Sequence, residues 1–237
     1  MSEHTIKAFD ADLQDLTRVV AEMGGLAERQ IAKAIEALDR RDPALADKVI
    51  AEDAKIDALQ REIEEKAVLT IARRQPMAVD LREIVGALRV SNDLERIGDL
   101  AKNIAKRVGA LEEDFGSQQV MRGVEHMADL VLAQVKDVLD SFANRDSAKA
   151  LAVWRNDEEI DAVNNSLFRE LLTYMMEDPR NISYCIHLLF CAKNIERMGD
   201  HATNIAETVY FIAEGRTLAE ERPKGDNTAS TKVPFRN

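Results

Sequence analysis

Apolar residues recur at three- and four-residue spacing along almost the whole chain. Leu13, Leu16, Val20, Met23, Leu26, Ala27, Ile31, Ala34, Ile35 and Leu38 make the first such stripe, the pattern of a helix with one buried face. Asp42-Pro43 interrupts it, with Asp as a cap and Pro suited to a first helical turn. The same period predicts a second helix over about 43–74, closed by Gln75-Pro76, because the residue before a proline avoids helical angles. A third runs over about 77–110, and Glu113-Asp114-Phe115-Gly116 reads as a linker.

The second half repeats the plan. A fourth helix is predicted over about 117–143, and Asn144-Arg145-Asp146 stands where Arg40-Arg41-Asp42 stood. The fifth runs to Glu177, Asp178-Pro179 takes the place of Gln75-Pro76, and the sixth spans about 180–214. Residues 222–237 hold turn formers and little apolar content, so they read as a flexible C-terminal tail. Short turns make consecutive helices antiparallel neighbours. The expected fold is therefore all-α, with six long antiparallel helices in two tandem three-helix bundles related by internal repeat, over 1–112 and 117–221. One six-helix domain is the alternative.

The repeat is visible in individual residues. Residues 92–104 read NDLERIGDLAKNI and residues 193–205 read KNIERMGDHATNI. Glu95, Arg96, Gly98, Asp99 and Asn103 match Glu196, Arg197, Gly199, Asp200 and Asn204 at a constant offset of 101 residues. Glu and Asp stand four apart in each copy, which stacks two carboxylates on one helical face. The preceding helix carries its own pair, Asp53 with Asp57 and Asp157 with Asp161, at an offset of 104 residues. Equal distance from the turn at Pro76 puts Asp57 level with Glu95 and Asp53 level with Asp99. From Pro179, Asp161 and Asp157 fall within one residue of Glu196 and Asp200. Four levelled carboxylates repel one another by roughly a kcal/mol or more per close pair.

Two readings stand at this point. A multivalent cation relieves the repulsion and takes oxygen ligands. Alternatively, each set is a solvated acidic face paired with Lys and Arg at helical spacing, Arg96 and Arg197 among them. Asn103 and Asn204 extend the stripe as ligands, outer-sphere donors or exposed residues. Gly98 and Gly199 sit inside helices, where Gly costs about 1 kcal/mol relative to Ala, so a neighbouring helix or a ligand approaches closely there. His187 and Cys191 share a face as a packed core pair or a metal site. His201 belongs to one copy only, since the other has Leu100.

Composition narrows the function classes. Aromatics make up only 5%, and Gly (10) and Pro (5) are scarce, which suits long helices. A net charge of −11 excludes a nucleic-acid groove, which needs clustered cations, and suits metal ions or basic partner surfaces. Cys185 and Cys191 read as buried free thiols, in keeping with a reducing cytoplasm. No run approaches the ~18 apolar residues of a membrane span, so membrane contact passes through partners. There is no phosphate-cradling Gly loop, no nucleophile elbow and no Glu-x-x-His, so the chain does not read as an enzyme and no organic cofactor is expected.

The doubled ER-x-GD followed by N-I, on the third and sixth helices of a tandem bundle, resembles the PhoU family over about residues 5–215. The resemblance implies a cytoplasmic negative regulator of phosphate uptake and of the phosphate-starvation response. It implies the phosphate-transporter ATPase subunit and the phosphate-sensing histidine kinase as partners, and a homodimer. It also implies iron or zinc on the acidic motifs, which map onto Asp53, Asp57, Glu95 and Asp99 and onto Asp157, Asp161, Glu196 and Asp200; oxygen ligands alone would equally permit manganese or magnesium. A metal-dependent phosphohydrolase and a metal-independent helical adaptor remain as alternatives.

Overall fold

The structure is a computed structural model that describes residues 3–111 and 118–219, with side chains for 9–111, 120–156 and 158–219. The predicted linker and tail lie outside the described residues. Three helices make the first bundle: α1 (Glu3–Arg40), α2 (Pro43–Arg74) and α3 (Val79–Val108). The second holds α4 (Gln118–Asn144), α5 (Ser147–Arg155), α6 (Asp157–Glu177) and, after a single 3₁₀ turn at Pro179–Asn181, α7 (Ile182–Glu214). No strand occurs among the described residues.

The two first turns of the repeats are built alike. The Asp42 side chain accepts from the Leu45 N–H and Asp146 accepts from the Lys149 N–H, each capping the helix that follows. Arg41 and Arg145 are left-handed, with φ of 50° and 55°. The Asp42 N–H reaches the Ala37 carbonyl at 3.0 Å and the Asp146 N–H reaches that of Ser141 at 2.9 Å, which closes the preceding helix in a Schellman turn. The second turns differ. Gln75 is left-handed and Ala78 also takes a positive φ, of 48°, so α3 starts two residues later than its periodicity predicts.

The expected single fifth helix is broken at Asn156. Its N–H still bonds back to Ala152 and Val153, but its backbone leaves the helix at φ −82°, ψ 2°. The cause is local: Asn156 and Asp157 are weak helix formers, and Asp157-Glu158-Glu159 favours a fresh N-terminus, where negative charge is stabilised.

Each bundle packs its own helices together, and the two bundles meet chiefly along α3 and α7. These helices run antiparallel: Arg82 approaches Gly215, Asp93 meets His201, and Arg107 meets His187. One continuous apolar core spans both bundles, including Met23, Ile56, Ile97, Met127, Leu171 and Ile195. Cys185 and Cys191 are buried free thiols, and burial pushes the Cys191 thiol up to about 12. The seam is clamped at both ends by equivalent arginines. Arg41 stacks over Tyr184 at 5.7 Å, and Arg145 pairs with Glu83 at 2.7 Å.

Gly86 sets the approach of α3 to α7. A Cβ there would stand 2.3 Å from Cδ1 and 2.6 Å from Cγ1 of Ile212. Gly86→Ala should therefore lower stability by about 1–3 kcal/mol in urea unfolding. Gly109→Ala, whose Cβ meets nothing within 4 Å, should stay within about 0.5 kcal/mol of the parent. Equal effects of the two changes would mean that the seam is loosely packed.

Candidate functional site

The first acidic set comes together between α2 and α3. Asp53 is buried, while Asp57, Glu95 and Asp99 are half-buried around it. Gly98 makes this possible: the point its Cβ would occupy lies 2.9 Å from Ile56 Cδ1, 3.1 Å from Gln30 Oε1 and 3.5 Å from Asp53 Oδ1. Close helix packing is thus the reason for that glycine. Lys102 completes the patch. Its ammonium donates to Asp53 and, at 2.8 Å, to Asp99 Oδ1. Both bonds hold the ammonium pKa well above the ordinary lysine range. Burial pushes the Glu95 carboxyl above the usual carboxylate range, and the charges of Asp99, Asp57 and Asp53 act in the same direction, opposed by Arg96. Arg96 reaches Glu95 at 3.4 Å and Asp99 at 3.8 Å from a largely exposed position. Asn103 is exposed.

The second set is divided between α6, which carries Asp157 and Asp161, and α7, which carries Glu196 and Asp200. Asp161 and Glu196 are buried and Asp200 is half-buried; the side chain of Asp157 lies outside the described residues. Gly199 is hemmed by Ile160 at 3.1 Å and Gln134 Oε1 at 3.2 Å, the counterparts of Ile56 and Gln30. Where the first copy has Lys102 the second has Thr203, which is buried and accepts from Gln134 Nε2 at 3.4 Å. Its lysine stands elsewhere: Lys193 pairs with Glu196 at 2.9 Å. Arg197 is exposed.

Other candidates resolve differently. His201 Nδ1 lies 2.9 Å from Asp93 Oδ1, which also accepts from Asn204 Nδ2 at 3.4 Å, so these residues tie the two bundles together. His187 Nδ1 lies 3.4 Å from an Arg107 nitrogen, and the Arg107 guanidinium covers the Phe190 ring at 4.3 Å. Trp154 is a core residue whose Nε1 donates to Glu207 at 3.0 Å.

Lys102, Gln30 and Gln134 were absent from the sequence-based candidates. The signals were present. Lys102 follows Asp99 by three residues, a neighbouring position on a helix, and the two glutamines share the 104-residue offset of the aspartates.

The donor chemistry of these patches is hard oxygen, suited to iron, manganese, magnesium or zinc. Their arrangement is less suited. Among the described residues no three His, Cys, Asp or Glu side chains stand together as a metal site. In the first patch an ammonium already bonds two of the four carboxylates.

Comparison with known proteins agrees with the repeat. The family model described as PhoU domain matches twice, over residues 20–108 and 124–209. The chain belongs to the PhoU family. Each match encloses one acidic quartet. A phosphate-specific transport system accessory protein PhoU homolog of Rhizobium meliloti is 58% identical over 227 residues, covering 96% of each chain. The crystal structure of PhoU from Pseudomonas aeruginosa superposes with a TM-score of 0.84 at 41% identity, covering 88% of this chain and 100% of that one. The phosphate transport system regulatory protein PhoU from Streptococcus pneumoniae gives 0.83 at 28% identity, covering 90% and 100%.

The raised Glu95 pKa sets a pH dependence. Between the ordinary glutamate value and the raised one, the folded chain binds more protons than the unfolded chain, so stability falls as pH rises through that window. Glu95→Gln, neutral throughout, should melt about 2–4 °C higher than the parent at pH 7 in chelating buffer. The difference should vanish below about pH 4. A lower melting temperature for Glu95→Gln at pH 7 would show that the carboxylate is engaged by a cation rather than strained by its neighbours.

Proposed function

We propose that this chain is a cytoplasmic negative regulator that damps phosphate uptake and keeps the phosphate-starvation response off when phosphate is plentiful. It acts by binding, with the phosphate-transporter ATPase subunit and the phosphate-sensing histidine kinase as partners, and it works as a homodimer. The observation that carries this reading is the match, over 96% of its length, to a phosphate-specific transport system accessory protein, together with the same acidic motif on the last helix of each repeat. No helix among the described residues is long and apolar enough to cross a membrane; contact with the transporter through its ATPase subunit belongs to the proposal.

The physical case for docking rests on charge held in place. The chain carries a net charge of −11, and its quartets are fixed on rigid helices rather than loops. Fixed charge of one sign selects basic partner surfaces and speeds encounter with them. A metal ion of hard character, iron, zinc, manganese or magnesium, would need Asp161, Glu196 and Asp200 to draw closer than they stand, and would then lower the negative charge of that face. A phosphohydrolase built on the same carboxylates needs an open coordination position beside a metal, and the first patch places an ammonium there instead.

A strain lacking this gene should express phosphate-starvation genes in phosphate-rich medium and accumulate excess phosphate, and the intact gene should restore repression. A reporter fusion and radiolabelled phosphate uptake check both. Normal repression in the deletion strain would reject the regulatory reading.

A further inference from the structure

The two repeats share their carboxylates but not their lysines. Lys102 lies between α2 and α3 with its side chain 23% exposed, against 6% for that of Asp53. It bonds one carboxylate from each helix. Gly98 brings those helices close enough for a single side chain to span them. The matching position in the other repeat is Thr203, turned into the core towards Gln134. There the lysine is Lys193, at the rim and 48% exposed, where the first repeat has Asn92.

An ammonium is a compact, strongly hydrated point charge with three donors. Bonded to two carboxylates from different helices, it meets the same electrostatic demand as a bound cation. It also repels any second cation brought to the same oxygens. We propose that Lys102 is the built-in cation of the first patch, cross-linking α2 to α3 and excluding divalent metal from Asp53, Asp57, Glu95 and Asp99. The two halves of this chain have thus diverged in how they neutralise the same motif. The inference goes beyond the regulatory reading and stands or falls independently of it.

The test isolates the first patch in the full-length chain by Glu196→Gln with Asp200→Asn. Manganese(II) is titrated in and followed by loss of the free-ion electron paramagnetic resonance signal, with zinc(II) and thermal melting as a second assay. The parent with Lys102 intact should take up neither ion. Lys102→Thr, which copies the other repeat, should bind manganese at least about ten-fold more tightly. It should also melt lower than the parent in chelating buffer and recover when the ion is added. Lys102→Arg should keep the parent melting temperature and remain metal-free. Should Lys102→Thr not fold, the parent alone still decides. Manganese uptake with Lys102 in place, abolished by Glu95→Gln with Asp99→Asn, would overturn the proposal. So would a folded Lys102→Thr protein that neither loses stability nor gains metal.

Discussion

The antiparallel seam of α3 and α7 is the constraint on which the rest of the structure depends. Each helix packs against every other helix of its own bundle and is the main contact to the other bundle. Both must therefore be apolar over much more than one stripe, and α7 buries residues from Cys185 to Ile212 along its length. Gly86 allows the close approach, and Arg41 with Tyr184 and Arg145 with Glu83 lock its two ends. The register that joins Asp93 to His201 also brings Glu95 level with Asp200 to within about a helical turn. The acidic patches therefore flank the middle of one rigid unit, where neither bundle can shift without carrying its patch along.

Much of this was legible from periodicity and punctuation. Asp42-Pro43 and Asn144-Arg145-Asp146 are the observed turns, and their shared hydrogen bonds explain why one sequence plan serves twice. Levelling Asp53 with Asp99 across Pro76 is supported by the lysine that bonds both. The break at Asn156 was hidden because apolar spacing continues through it, with Val153, Trp154 and Ile160 all buried. Only the run of polar and acidic residues marks it. The tie between Asp93 and His201 was not legible at all. It depends on how two bundles dock, and no helical period records the rotation of one bundle against another.

The patches show how a repeated motif diverges without losing its shape. Gly98 and Gly199 meet equivalent isoleucines and glutamines, so the backbone frame is held in common. The charge on that frame is tuned separately, by Lys102 on one side and Lys193 on the other. A buried carboxylate such as Asp53 is tolerable only with a charged or hydrogen-bonding partner, and Lys102 supplies it from within the chain. Charge that is neutralised in this way belongs to the fold.

The proposed mode of action is binding through fixed negative charge. Its most direct test is the affinity of the purified chain for the purified ATPase subunit of the phosphate transporter, measured by isothermal titration calorimetry across a series of salt concentrations. The account predicts saturable binding at low ionic strength that weakens steadily as salt screens the charges. No binding at low salt, or an affinity indifferent to salt, would contradict it.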